Sequence, residues 1–279
     1  MKRVITAAVI IPLVFLLVFK GTFLLVVLST ALVAELAAWE YLSLADAAGA
    51  KTPRVLVLLA IALLFAANFR NADLEMPAMA ASSLLLFAVC TFRSPAARVL
   101  PDAAFSVFAL IYVGFSLSTL PLLWAQENGP SLLLFLFCVV WSGDVAALYV
   151  GRAFGRRRLA PQISPNKTWE GSAASLAGSV LIAALLFFLA RALGAGASSE
   201  GPGLPIAYQG PLGQWLALAV LLNVAAQIGD LVESAIKRGC GVKDSGVMLP
   251  GHGGMLDRID ALLLAAPVLW YAQLAQQYF

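Results

Sequence analysis

The residues best suited to chemistry lie between Ser234 and Asp260, in SAIKRGCGVKDSGVMLPGHGGMLDRID. This stretch holds four of the chain's eighteen Lys and Arg, three carboxylates, the single histidine and six glycines. Lys237, Arg238, Lys243 and Arg258 suit phosphate oxygens, and the Asp pairs suit a hard cation such as Mg2+. The glycines let the backbone close on a ligand and adopt positive φ. Carboxylates inside apolar segments sharpen the pattern, because each is costly there unless paired, metal-bound or wetted. Asp144 sits in WSGDVAALYVGRAFG, Asp230 and Glu233 in QIGDLVES, and Asp257 and Asp260 in LDRID. The i, i+3 spacing puts Asp230 with Glu233, and Asp257 with Asp260, on shared helix faces. Two helix ends meeting across 234–258 can therefore aim four carboxylates at one point. Mg2+ takes one or two carboxylates and keeps its other positions for water and substrate phosphates. Two of these acids are thus expected on metal and the others in ion pairs with Lys or Arg.

A second polar loop, SPNKTWEG, spans 164–171. Thr168 is placed to cap the helix that follows, and Lys167 to meet an anion near that helix's positive end. His252, in PGHGG, is open to three roles: general base, phosphate donor, or a hydrogen bond that orders the loop. One histidine builds neither a His-ligated metal cluster nor a Ser-His-Asp triad. No Walker A sequence and no dinucleotide fingerprint is present. Cys90, Cys138 and Cys240 are isolated and form no disulfide framework or zinc spacing. Glu35 and Glu40, near the end of an apolar stretch, read as structural or dimer contacts.

The elements that must position these groups are set by composition. The chain is 61% hydrophobic and 12% charged with mean hydropathy +0.90, against roughly 25% charged for soluble domains. An all-α polytopic integral membrane protein follows, of about nine transmembrane helices. The expected spans are 4–19, 22–43, 54–70, 76–92, 103–124, 131–150, 172–192, 213–233 and 259–278. Lys2 and Arg3 precede a retained first span rather than a cleaved signal. The Gly- and Ser-rich stretch 194–213 reads as a flexible connection. Residues 1–130 form the first five spans, and residues 131–279 form a catalytic region with loops 151–171 and 234–258. Fifteen of the eighteen Lys and Arg then fall on one side, leaving Lys20, Arg70 and Arg191 on the other. The N-terminus and both charged loops are therefore expected in the cytoplasm, and the C-terminus outside. The basic residues are dispersed rather than gathered in one stripe, so nucleic acid is not an expected partner. Arg156, Arg157 and Arg158 read as anchors to anionic headgroups.

The stretch Ser234-Ala-Ile-Lys237-Arg238, Lys243-Asp244, and Leu249-Pro250-Gly-His252-Gly253-Gly254-Met-Leu-Asp257-Arg258-Ile-Asp260 resembles the signature of the phosphatidate cytidylyltransferase (CDP-diacylglycerol synthase) family. SPNKTWEG, QIGDLVES and Asp144 with its following glycine-rich turn are similar to further family features. The resemblance covers about residues 140–265. It implies the reaction CTP + phosphatidate → CDP-diacylglycerol + diphosphate, in a homodimer of the inner (cytoplasmic) membrane with a polar cavity facing the cytoplasm, with Mg2+ and room for a second cation such as K+. It assigns metal to Asp230, Asp257, Asp260 and Asp144. It assigns substrate contacts to Ser164, Asn166, Lys167, Thr168, Ser234, Gly253 and Gly254. Lys237, Arg238, Lys243, Asp244, His252 and Arg258 take catalytic roles. Two alternatives stand beside it: a CTP-dependent polyprenol or phytol-type lipid kinase, and an ion-coupled transporter.

Overall fold

In hydrocarbon a segment must satisfy its own backbone, so the apolar stretches fold as helices. The computed structural model describes residues 2–194, 210–246 and 253–276. The helices are α1 (Lys2–Lys20), α2 (Phe23–Ala47), α3 (Arg54–Arg70), α4 (Glu75–Arg93), α5 (Val99–Ala109), α6 (Ser116–Trp124), α7 (Gly129–Phe154), α8 (Trp169–Gly194), α9 (Leu212–Gly239) and α10 (Leu256–Gln276). A π-helical turn, Leu110–Phe115, joins α5 to α6 as one rod. A helix lies over each expected span, and seven of the helical stretches are long and apolar enough to cross a membrane. Of the expected connection at 194–213, residues 195–209 lie outside the described residues, and α9 already begins at Leu212.

Two boundaries differ in a way that matters for function. Helix α9 was expected to end near residue 233, yet it runs to Gly239 with Lys237 and Arg238 in its last turn. Charged residues do not end a helix that emerges into water, and cations there are favoured by the helix dipole. Lys237 thus sits one turn beyond Glu233 on a rigid element instead of on a loop. The 151–171 loop is also not wholly irregular. It folds into a ribbon of β1 (Arg158–Ala160) and β2 (Ser164–Thr168), with Arg158 opposite Thr168 and Ala160 opposite Ser164.

Burial follows a lipid-facing pattern. On α2, Leu24, Leu28 and Leu32 recur every four residues on the exposed face, while Ala34, Ala37, Ala38, Leu42 and Ala45 are buried. One apolar core runs from Val18 through Leu136 and Leu222 to Leu269, so both halves of the chain share it. Helices α7, α8 and α9 pack through small residues. A Cβ on Gly143 would stand 2.6 Å from Asn223 Nδ2, 2.7 Å from Ser179 Oγ and 2.8 Å from Ser175 Oγ. Small residues of this kind admit close backbone approach where no hydrophobic drive exists between helices. A hydrogen-bonded seam fastens the same contact. Asn223 Nδ2 donates to Ser175 and Ser179 Oγ at 2.9 Å each, Gln227 Nε2 donates to Asn223 Oδ1 at 2.6 Å, and Ser172 Oγ donates to Gln227 Oε1.

Candidate active site

The polar seam opens at its upper end into a cavity of about 650 Å3. Its walls are α7, the β-ribbon, α8 and α9. Asp144 and Arg152 face it from α7, Asn166, Lys167 and Thr168 from the ribbon, and Asp230 from α9. Lys167 Nζ lies 2.5 Å from Asp230 Oδ2. The ribbon that carries Lys167 is fixed by backbone bonds: Trp169 N donates to Arg157 O at 2.9 Å, and Glu170 accepts the N–H groups of Arg156 and Arg157. Thr168 Oγ1 accepts from Gly171 N at 3.1 Å, the helix cap expected from sequence.

A second charged centre adjoins the first along α9. Lys237 Nζ stands 2.5 Å from Glu233 Oε2 and 2.5 Å from Asp257 Oδ1. Asp257 Oδ2 accepts Gly254 N at 2.9 Å and Ser245 N at 3.2 Å. Gly253 (φ +82) makes the turn that delivers the Gly254 amide, a conformation other residues rarely adopt. Asp260 follows Asp257 by one turn on α10, where its backbone meets Gly229 of α9. Gly229 permits this closeness, since a Cβ there would stand 2.6 Å from Asp260 O.

Among the described residues no three ligating side chains converge as a ready metal cluster. The charge balance nevertheless fits a hard cation. Asp144 and Asp230 line the cavity with Lys167 and Arg152, a carboxylate pair of the kind a hard cation takes beside water and phosphate. Asp230 is paired with Lys167, and Asp257 with Lys237 and two backbone amides, which leaves Asp144 as the cavity acid with no ion pair among the described residues.

The remaining expected residues are spread more widely. Arg238 donates to Ile163 O (3.4 Å) and Val242 O (3.0 Å), tying the ribbon turn to the end of α9. Ser164 pairs within the ribbon. Ser234 is half-buried on α9, while Lys243, Asp244 and Arg258 are exposed. His252 lies outside the described residues. Three residues had not been read as part of the site. Arg152 follows Asp144 by eight residues, the two-turn spacing that puts both on one face. Gln227 precedes Asp230 by three on α9. Glu40, expected as a structural or dimer contact, binds the start of α10: its carboxylate accepts Met255 N and Leu256 N at 2.9 Å each and Ser245 Oγ at 3.0 Å.

Paired lysines and acids stand around a polar cavity at the end of an apolar helical bundle, side chains of the kind that suit phosphate oxygens. The profile of the Cytidylyltransferase family matches residues 1–275, and the chain belongs to that family. The phosphatidate cytidylyltransferase of Brucella suis biovar 1 is 46% identical over 166 residues, 58% of this chain and 54% of that protein. That of Bacillus subtilis is 37% identical over 171 residues, 61% and 58% of the two chains. That of Staphylococcus saprophyticus is 33% identical over 273 residues, 96% of this chain and 97% of the relative. The chain thus spans about half the length of the Brucella relative and nearly all of the staphylococcal one.

Proposed function

We propose that this chain transfers a cytidylyl group from CTP to phosphatidate, giving CDP-diacylglycerol and pyrophosphate. The carrying observation is the Lys167–Asp230 pair at 2.5 Å in the wall of the cavity. A phosphate oxygen of phosphatidate attacks the α-phosphorus of CTP. The bond from that phosphorus to the bridging oxygen of the β-phosphate breaks, and pyrophosphate leaves in line. The nucleophile is already ionised, so no general base is needed and His252 is not required for proton transfer. The task is to gather two anions and neutralise the charge that builds up between them. Lys167 and Arg152 line the cavity where the phosphates would lie, and Lys237 is held rigid by two carboxylates close by. Asp144, Asp230 and Asp260 would hold Mg2+, which supplies charge neutralisation and orients the phosphates when bound.

The cavity is proposed to face the cytoplasm, with the N-terminus on the same side and a homodimer in the inner membrane. Residues 131–279 would supply the cavity and residues 1–130 its support. A reporter fused at the C-terminus is expected outside the cytoplasm, and a cytoplasmic signal would reject this orientation. Cross-linking in native membranes tests the dimer. For the reaction, the purified protein is given CTP labelled at the α-phosphate, phosphatidate and Mg2+. Label entering lipid with one pyrophosphate released per lipid supports the reading. Release of CDP with label passing from γ-labelled CTP to a lipid alcohol would replace it with a lipid kinase.

A further inference from the structure

We propose that Glu40, on α2, is a positioning residue for the Asp257–Lys237 centre, so that the first half of the chain reaches into the catalytic half. The geometry is specific. Glu40 Oε1 accepts Met255 N, and Glu40 Oε2 accepts both Leu256 N and Ser245 Oγ. Free N–H groups at a helix start need acceptors, and here those at the start of α10 find theirs on a distant helix. Asp257 is the next residue along. Ser245 touches both acids, donating its hydroxyl to Glu40 and its backbone amide to Asp257.

Glycine at two positions is a condition of this contact. A Cβ on Gly254 would collide with both Glu40 Oε2 and Ser245 Oγ, and one on Gly246 would stand 2.6 Å from Glu40 Oε1. Glu40 is 3% exposed and Leu256 is fully buried, so the joint is largely shielded from solvent. Lys237 approaches Asp257 from α9. The relative placement of α9 and α10 at the reacting end is therefore set from α2. Losing this anchor leaves every charged group of the centre present but misplaced, which acts on the transition state more than on ground-state binding.

The test is Glu40→Gln in the full-length protein, with Ser245→Ala beside it. Gln keeps one acceptor oxygen and turns an NH2 toward a backbone N–H. Expected for Glu40→Gln are faster amide hydrogen exchange over residues 253–258, a fall in kcat of at least about tenfold, and a CTP KM within about threefold of the parent. Ser245→Ala removes one donor and is expected to lower kcat by about threefold with KM unchanged. Parental kcat in Glu40→Gln, or a loss confined to KM, overturns the inference. Should Glu40→Gln fail to fold, Ser245→Ala decides: parental kcat and parental exchange together overturn it. The kinetic part rests on the proposed reaction. An inactive parent would defeat that reading, whereas an active parent with unaffected variants defeats only this one, and amide exchange tests the anchor without turnover.

Discussion

Lys167 and Asp230 meet at 2.5 Å although one rides on a two-stranded ribbon and the other on a long membrane helix. Their side chains remain 25% and 36% exposed, so an arriving anion can reach the ammonium group without unfolding anything. Such a pair adds little stability. Lys167→Ala is expected to lower kcat/KM by about 100-fold or more, the usual scale for removing one stabilising donor. The melting temperature in detergent should barely move. Turnover and melting measured on the same preparation check both halves of this expectation.

The Lys237 centre should behave in the opposite way. Glu233 is fully buried, and Lys237 and Asp257 are nearly so, at 12% and 11%. Removing one member of a buried pair leaves the other uncompensated, at a cost of about 3–5 kcal/mol. Lys237→Met is expected to lower stability sharply, and adding Glu233→Gln should restore part of it without restoring turnover. Denaturation curves for the single and double variants read this directly. Asp257→Asn should abolish turnover while the protein still inserts in the membrane. Retained activity would remove Asp257 from the reacting centre.

Gly143 tests the seam beneath the cavity. An added methyl would press on Asn223, Ser175 and Ser179 at once, and overpacking of this kind costs about 1–3 kcal/mol. Gly143→Ala should melt earlier and lose activity, because Asp230 sits two turns beyond Asn223 on the same helix. Gly213→Ala is the control, since nothing lies within 4 Å of its added Cβ. Equal melting temperatures for the two variants would show that the seam yields.

Metal removal gives a further expectation. Chelator-treated protein should be inactive, and Mg2+ should restore turnover. Asp144→Asn should raise the Mg2+ concentration needed for half-maximal rate. A variant with an unchanged Mg2+ dependence would take Asp144 out of the ion's surroundings.

Much of this was legible in the sequence for a physical reason. Apolar runs of the length that crosses a bilayer have few structural options, so the helices were found close to their limits. Thr168 was recognised as a cap because capping is local. Residues whose role depends on a remote partner were harder to read. Glu40 lies more than 200 positions from Ser245, and nothing in the sequence around it points to α10. The end of α9 was placed too early because Lys237 looked like loop chemistry, when its charge reflects a helix leaving the membrane. The division of the site into two adjoining centres was likewise hidden, since i, i+3 spacing gives a shared face but not the neighbour that face meets.

Glu170 carries one last consequence. By accepting the backbone N–H groups of Arg156 and Arg157, it folds the turn before β1 and leaves Arg156, Arg157 and Arg158 exposed beside Leu159, which lines the cavity. On the proposed reaction, a basic rim at that point would act on lipids moving in the plane of the membrane. It would raise the local density of anionic amphiphiles at the mouth over that of the surrounding leaflet. Capture from a dilute pool would then depend on surface charge, so added salt should raise the apparent KM for an anionic lipid and leave kcat in place.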